Sequence, residues 1–284
     1  MAGHLFLSSS STIDYENDNE DDWIMKPTPW ESFLYQPPSW MEPLDWQKVF
    51  HPILSQLETQ NSEPGTFPIH VDLGAGDGGF VTARAQSHPD IRFIAVERLL
   101  GRARKIAKKA CRNQLDNVRA LRIEASYVVE FLIPPHSIQA ITILFPDPWP
   151  KRRHQDRRLI QSHFLVQCAR CLRPDGWIAI KTDDAAYFEQ IVEMLAACQG
   201  LEHWKDADPE QLIPELTDFE RDFLKAGRSI HFLTARPISA RRDASGGKWI
   251  EQSSSFSEEE KKQLRQFQSQ QKSKGVSMAP GVNE

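Results

Sequence analysis

Three glycines and an acidic residue form the first group whose types and spacing could do chemistry. Gly74, Gly76 and Gly79 follow an apolar run at residues 69–73 in the order G-x-G-x-x-G, and Glu97 lies eighteen residues beyond the last glycine. Glycines in such a turn let a ligand approach the backbone, and the later acid can accept hydrogen bonds from ribose hydroxyls. The arrangement predicts a cofactor with a ribose, and on these residues alone it fits NAD and S-adenosyl-L-methionine (SAM) equally.

Two further acids favour SAM. Asp72, just before the turn, could pair with the cationic amino group of the methionine part, for which a nicotinamide cofactor has no counterpart. Glu124 follows a later apolar run and could accept a hydrogen bond from an adenine amino group. Ligands of parallel sheets bind beyond the carboxyl ends of the strands. We therefore expect SAM to be bound by Asp72, Gly74, Gly76, Glu97 and Glu124.

A proline-rich segment, Phe-Pro-Asp-Pro-Trp-Pro-Lys at residues 145–151, follows the apolar run at residues 138–144. Its prolines cannot donate ladder hydrogen bonds and they stiffen the chain, which predicts that Asp147 is held at the edge of the sheet near the methyl donor. Trp149 could stack on a base or simply pack against the protein. Five cations follow and predict a surface for phosphate groups, namely Lys151, Arg152, Arg153, Arg157 and Arg158.

The elements that must position these residues alternate between strands and helices. Apolar runs predict strands at residues 69–73, 92–96, 118–123, 138–144, 177–181 and 229–235. Helical spacing predicts helices at residues 81–87, 99–112, 158–172 and 185–197. This alternation predicts an α/β, Rossmann-like fold with a mostly parallel central sheet and helices on both faces.

Charge and composition divide the chain. With 284 residues, 40% of them hydrophobic, it can bury a sizeable core, which excludes a wholly disordered protein or a small disulfide scaffold. The net charge is -5, but residues 1–22 hold six acids and no lysine or arginine, so the remainder is close to neutral and can carry a basic face. We predict an acidic, disordered leader over residues 1–39, a catalytic domain over residues 40–236, and a polar, disordered or partly helical tail over residues 237–284.

The cysteines and the hydropathy pattern indicate the compartment. Cys168 and Cys171 form a lone C-x-x-C in a segment with helical spacing, which predicts two buried helix residues rather than metal ligands. No apolar run approaches the roughly 18 residues of a membrane span, and the first residues do not have the pattern of a signal peptide. We expect a cytoplasmic protein with no metal and no membrane partner.

The proline-rich segment also carries a resemblance to a known family. Together with Arg153-His154 and Arg157-Arg158-Leu159, residues 145–151 resemble the tRNA (guanine(46)-N7)-methyltransferases. The resemblance covers residues 44–236 and includes further matches at Leu44-Asp45-Trp46, Asp72–Gly76, Glu97, Lys181-Thr182-Asp183 and Thr217-Asp218-Phe219-Glu220. It implies a class I, SAM-dependent enzyme that methylates N7 of a guanine in the variable loop of tRNA. We expect tRNA as the partner and a monomer or homodimer.

The resemblance also implies roles for individual residues. The cofactor positions of the family fall on Asp72, Glu97, Glu124 and Asp147, and Asp147 is also its catalytic position. The substrate positions fall on Lys151, Arg153, His154, Arg157, Arg158, Asp183, Thr217 and Glu220. Two positions depart from the family, which usually has Glu at 72 and Asp at 124. Both departures keep the charge and change its reach by one methylene.

Other functions remain open on the residues alone. An adenine-N6 methyltransferase acting on RNA or DNA has a similar Asp-Pro-Pro-aromatic corner, although Trp149 stands where that corner needs its second proline. A non-catalytic tRNA-binding partner could keep the same fold. Asp183 could share the role of Asp147, and Thr217 with Glu220 also matches a helix capping box.

Overall fold

The computed structural model of the protein describes residues 29–50 and 67–238. Within these ranges eight strands form one sheet in the order β1-β4-β3-β2-β5-β6-β8-β7. The strands are β1 (Leu34–Tyr35), β2 (Ile69–Leu73), β3 (Arg92–Val96), β4 (Val118–Leu121), β5 (Ile138–Leu144), β6 (Leu172–Thr182), β7 (Leu201–His203) and β8 (His231–Pro237). The strands from β1 to β6 pair in parallel, whereas β8 is antiparallel to both β6 and β7. The predicted α/β fold with a mostly parallel sheet is confirmed.

Helices connect the strands. They are α1 (described over residues 46–50), α2 (Gly79–Ser87), α3 (Leu100–Arg112), α4 (Ala125–Tyr127), α5 (Ser162–Cys171), α6 (Ala185–Ala196), α7 (Pro209–Leu212) and α8 (Asp218–Lys225). A π turn at Val128–Leu132 continues α4, and 3-10 turns lie at Pro29–Phe33 and Arg152–Arg157. Helix α5 begins four residues later than its apolar spacing predicts, because Arg158 and Gln161 have extended rather than helical backbone.

Two large hydrophobic clusters cover the two faces of the sheet, and a small third one lies around Phe80, Ala179 and Ile213. Along β3, Phe93 and Ala95 belong to the cluster under α2 and α3, whereas Ile94 and Val96 belong to the cluster that includes α5 and α6. Successive side chains of a strand point to opposite faces, so this alternation shows that β3 is buried on both sides. Strands of this kind read as continuous apolar runs, which is why their positions are legible in the sequence.

Residues 29–35, which the sequence assigns to the leader, contact the sheet. Leu34 pairs with Ala120 and extends the sheet by the two-residue strand β1, while Phe33 is buried against the cluster of α2 and α3. A strand of two residues is too short to show an alternating pattern, so the sequence does not predict β1. The rest of the leader before residue 29, and the tail after residue 238, lie outside the described residues.

Two further features bear on the sequence predictions. Cys168 and Cys171 are both buried in α5, at the positions that helical spacing predicts. Among the helices of residues 29–50 and 67–238, none combines the length and the apolar character needed to cross a bilayer.

Parallel pairing brings the carboxyl ends of strands β1 to β6 to one edge of the sheet, and five of these strands carry an acid there. In spatial order these strands are β4, β3, β2, β5 and β6. An acid lies at or just beyond the end of each, in the same order: Glu124, Glu97, Asp72, Asp147 and Asp183. The fold therefore places five sequence-predicted acids along a single edge.

Candidate active site

The glycine turn is closed by the backbone and by Glu97. The amides of Gly74 and Ala75 both donate to the carbonyl of Val96, each at 2.9 Å. Gly74 has a φ of 81° and Gly76 a φ of 58°, which few other residues tolerate. Glu97 is 6% exposed, and its carboxylate accepts from the amides of Gly76 (3.0 Å) and Leu99 (2.8 Å). Two backbone donors thus fix its orientation, and each oxygen keeps a lone pair for a ligand.

Gly78 is not one of the three glycines of the G-x-G-x-x-G motif, but its position also requires glycine. Its φ is 77°, and a Cβ added to it would lie 2.8 Å from Cγ1 of Ile106 on α3. A Cβ added to the motif's own Gly79 would lie 3.2 Å from Oδ2 of Asp218. Both the backbone conformation and the packing against α3 therefore require glycine at position 78. The contact of Asp218 with Gly79 shows that the start of α8 lies next to the glycine turn.

Asp72 receives a chain of buried hydrogen bonds. The hydroxyl of Thr142 on β5 donates to Asp72 Oδ1 at 2.7 Å, and the hydroxyl oxygen of Thr142 lies 3.1 Å from Nε2 of His70. Nδ1 of His70 lies 3.3 Å from Nε of Arg84 on α2. All four side chains are buried. We call these four residues the Asp72 relay.

Only one assignment of protons satisfies the relay. Arg84 can only donate, so Nδ1 of His70 must accept and its proton must lie on Nε2. Nε2 then donates to Thr142, whose single hydroxyl proton goes to Asp72. Burial, together with the charge of Arg84, keeps the pKa of His70 well below its ordinary value, in agreement with this neutral form. Every hydrogen bond of the relay is therefore directed toward the Asp72 carboxyl group.

Burial is the main reason that the pKa of Asp72 is raised to about 7, and the nearby Glu97 carboxylate raises it further. The hydrogen bond from Thr142 and the charge of Arg84 act in the opposite direction and lower this pKa. A buried carboxylate is costly unless it is paired. The relay supplies part of that compensation, and a cation placed at the edge of the sheet would supply more.

The relay continues to the segment before α8. Nη1 of Arg84 donates to Oε2 of Glu215 at 2.7 Å, and the two side chains are 6% and 11% exposed. Glu215 lies two residues before Thr217. The chain of contacts thus joins the end of β2 to the segment that contains the predicted substrate residues Thr217 and Glu220. No sequence pattern signals this, because the partners are 131 residues apart.

The corner that carries Asp147 is bent sharply. Phe145 and Trp149 have positive φ values, 55° and 41°, on either side of Pro-Asp-Pro. Non-glycine residues in this region cost about 1–3 kcal/mol each and concentrate at functional sites. Asp147 is exposed at the tip, beyond the end of β5.

Arg158 holds this corner from behind. It is 5% exposed, its Nε donates to the carbonyl of Pro148 at 2.6 Å, and its guanidinium also contacts Gln190 and lies 4.6 Å from the ring centre of Tyr187. The sequence predicts Arg158 to contact RNA, but its charged group faces the protein interior. In a run of charged residues, nothing in the composition tells which one turns inward.

The other predicted basic residues lie on the surface. Lys151, Arg152, Arg153 and Arg157 are exposed on or beside the 3-10 turn, and His154 is partly buried. The guanidinium of Arg157 lies 5.3 Å from the ring centre of Trp149, and His154 contacts the same ring edge-on at 5.8 Å. Trp149 thus has packing partners within its own segment.

A buried ion pair connects β6 with α8. Nζ of Lys181 lies 2.7 Å from Oε1 of Glu220, and both side chains are less than 8% exposed. Thr217 caps α8, because its hydroxyl accepts from the amide of Glu220 at 2.9 Å. The reciprocal half of the predicted capping box is not formed, since the carboxylate of Glu220 pairs with Lys181 instead. In the described chain, the second carboxylate oxygen of Glu220 is buried without a hydrogen-bond partner. Such an oxygen is costly unless a ligand donates to it.

The two outermost acids each face an arginine. Asp183 lies 2.9 Å from Nη1 of Arg228, and Glu124 lies 3.2 Å from Nε of Arg98. Both arginines are more than half exposed. The pairs can therefore open for a ligand at the cost of a partly exposed salt bridge, which is about 1 kcal/mol or less.

Comparison with known proteins gives the relatives of this chain. The family described as "Putative methyltransferase" matches residues 66–233. A tRNA (guanine-N(7)-)-methyltransferase of Lactococcus lactis subsp. cremoris (strain MG1363) is 34% identical over 60% of this chain and 80% of its own length. The protein of the same name from Macrococcus caseolyticus is 35% identical over 60% of this chain and 81% of its own length. Among solved structures, the 16S rRNA methyltransferase KamB is 18% identical, with a TM-score of 0.46 over 70% of this chain and 95% of that one.

Proposed function

Because the chain belongs to the family of tRNA (guanine-N7)-methyltransferases, we propose that it transfers the methyl group of SAM to N7 of a guanine in the variable loop of tRNA. The observation that carries this function is the order of the acids along the edge of the sheet. From β4 to β2 they match the order of acceptors that an extended SAM molecule needs, from adenine through ribose to the methionine amino group.

Three of these acids would hold the cofactor. Glu124 accepts from the adenine amino group, Glu97 from the ribose hydroxyls, and Asp72 pairs with the ammonium group. The fit of Asp72 is supported by its burial, since a carboxyl group whose pKa is raised to about 7 gains most from a cation placed beside it. The bound cofactor supplies an electrophilic methyl group on a sulfonium.

Asp147 would orient the guanine. Its exposed carboxylate lies beyond the end of β5, next to the strand that carries Asp72. It accepts hydrogen bonds from N1–H and N2–H of guanine, and its negative charge offsets the positive charge that the purine gains. Guanine N7 has a lone pair and no proton, so the reaction needs no general base and depends on placement and electrostatics.

Residues beyond β6 complete the substrate side. Glu220 carries a buried oxygen that has no hydrogen-bond partner among residues 29–50 and 67–238, and this oxygen is a ready acceptor for a base or for the amino group of the methionine part. Asp183 lies at the adjacent strand end. The exposed cations Lys151, Arg153 and Arg157 bind phosphates of the RNA, whereas Arg158 keeps the Asp147 corner in place.

Methyl transfer to a defined tRNA tests this function. The protein is incubated with methyl-labelled SAM and an unmodified tRNA transcript, and the labelled nucleoside is identified after digestion. We expect 7-methylguanosine, located in the variable loop by fragment mapping. Label in N6-methyladenosine would assign the enzyme to a different reaction. Binding of SAM and tRNA without any transfer would leave only a binding protein.

A further inference from the structure

The outer face of α3 is strongly basic. Seven cations lie between residues 98 and 112 with no acid among them, and we call them the α3 basic face: Arg98, Arg102, Arg104, Lys105, Lys108, Lys109 and Arg112. The inner face is apolar and fully buried, through Ala103, Ile106, Ala107 and Ala110. The helical period therefore places the charges on the side of α3 that faces away from the core.

Asp77 and Glu124 compensate part of this charge. Nζ of Lys105 lies 3.0 Å from Asp77 and Nε of Arg102 lies 3.8 Å from it, while Lys109 donates to the backbone carbonyl of Asp77. At the other end Arg98 pairs with Glu124. Asp77 and Glu124 thus pair with three of the seven cations, Arg98, Arg102 and Lys105. A concavity of about 190 Å³ is lined by Asp77 and by four of these cations, namely Lys105, Lys108, Lys109 and Arg112.

The α3 basic face is continuous with the active site. Arg98 directly follows Glu97, and Asp77 belongs to the glycine turn. From this edge α3 runs for 13 residues, about 20 Å, along the side of the domain. The exposed cations of residues 151–157 lie elsewhere, on the segment held by Arg158 and Tyr187. Both basic surfaces therefore begin at the same edge of the sheet, one after β3 and the other after β5.

We propose that the α3 basic face is a second docking surface for the tRNA backbone, which binds phosphates away from the methylated guanine. This rests on the proposed function, because it assumes that the polyanion is the RNA substrate. Lysine and arginine on one exposed helix face neutralise phosphates without reading bases. The surface should therefore set the affinity for tRNA and its salt dependence, and leave the chemical step unchanged.

A second polyanion could compete for the same surface. Residues 1–22 carry six acids, and the chain enters the described domain beside α3, where the ring centre of Trp30 lies 5.1 Å from Nζ of Lys108. We favour RNA because the surface begins at the cofactor edge, where the substrate must be held. Occupation by residues 1–22 is an outcome that the experiment distinguishes.

The experiment compares two triple variants of the full chain with the same change in net charge. The test variant, Arg104→Gln/Lys108→Gln/Arg112→Gln, removes three exposed cations of α3 and spares those that contact Asp77. The control variant, Lys48→Gln/Arg173→Gln/Arg236→Gln, removes three surface cations from other elements. Thermal melting verifies that both fold. The dissociation constant for tRNA is measured between about 50 and 200 mM salt, the range in which phosphate contacts are most visible.

We expect the test variant to bind tRNA at least about tenfold more weakly at low salt. Its log–log salt slope should flatten by about 2, since each lost phosphate contact removes about 0.7–0.9. The control should keep the wild-type slope, and both variants should keep the wild-type affinity for SAM and the wild-type kcat at saturating tRNA. Equal affinity and slope in the two variants would overturn the proposal.

Deletion of residues 1–22 distinguishes binding of tRNA to the α3 basic face from binding of residues 1–22 to the same face. If the test variant loses affinity only in chains that also lack residues 1–22, that segment is the natural occupant of the face and the proposal is wrong. Failure of the proposed function would look different: the wild-type protein would not methylate tRNA, whatever the effect of the α3 substitutions on binding.

Discussion

Replacing Thr142 by valine tests whether the Asp72 relay serves the cofactor. Valine keeps the shape of threonine but removes the hydroxyl that donates to Asp72 at 2.7 Å and accepts from His70. Asp72 then loses the contact that lowers its pKa, so a larger share of the carboxyl group is protonated near pH 7. We expect weaker binding of S-adenosylhomocysteine, because its ammonium group pairs with the ionised form of Asp72.

The magnitude follows from the contacts that are lost. A hydrogen bond to a charged acceptor contributes about 1.5–3 kcal/mol, which corresponds to roughly a 10- to 150-fold loss of affinity. The buried N–H of His70 is also left without an acceptor, which should lower the free energy of unfolding by about 1–3 kcal/mol. Thr142→Ser keeps the hydroxyl and loses only a methyl group, so it should retain most of the affinity while losing about 1 kcal/mol of stability.

Calorimetric titration with S-adenosylhomocysteine from pH 6 to pH 8 provides the assay. Asp72 has a pKa of about 7 in the free protein, so binding must release its proton below that pH. Affinity should therefore rise with pH and level off above 7, and in the valine variant this transition should move to higher pH. The reasoning is refuted if the valine variant loses stability but binds the ligand with wild-type affinity at every pH.

Three further substitutions test other parts of the site. Asp147→Asn should lower kcat by about 10²–10³-fold, the scale of one lost electrostatic contact, while SAM binding measured by calorimetry stays unchanged; normal turnover would transfer the role to another acid. Gly78→Ala should lower the free energy of unfolding, measured in urea, by at least about 2 kcal/mol, because φ is 77° and the added Cβ would collide with Ile106. The control, Gly101→Ala at an open position of α3, should leave the free energy of unfolding unchanged or raise it by up to about 1 kcal/mol. Arg158→Gln should lower kcat and the free energy of unfolding without changing the salt dependence of tRNA binding. Arg157→Gln should flatten that salt dependence and leave kcat unchanged. The reverse pattern would contradict the assignment of Arg158 to the corner that carries Asp147.

The strands of the central sheet are predictable because they are buried on both faces. Strands β2, β3 and β5 begin and end at the residues that the apolar runs predict. The order of the acids along the edge then follows from the rule that ligands bind beyond the carboxyl ends of parallel strands. These features depend on local composition and on one general rule of topology.

The supporting contacts could not be predicted because they join distant parts of the chain. Asp72 and Thr142 are 70 residues apart, and His70 reads as one polar residue within an apolar strand. The inward turn of Arg158 depends on the carbonyl of Pro148 and on α6, neither of which marks the arginine run itself. Sequence therefore indicates which residues meet the ligands, and the structure adds the residues that hold them.

The claim that guanine N7 is the nucleophile is tested most directly by removing that atom. A tRNA transcript made with 7-deazaguanosine has a C–H group in place of N7 and keeps the N1–H and N2–H donors that Asp147 would bind. Our account predicts that this transcript competes with normal tRNA for binding and accepts no labelled methyl group from SAM. Methyl transfer to the 7-deaza transcript at the normal rate would contradict it.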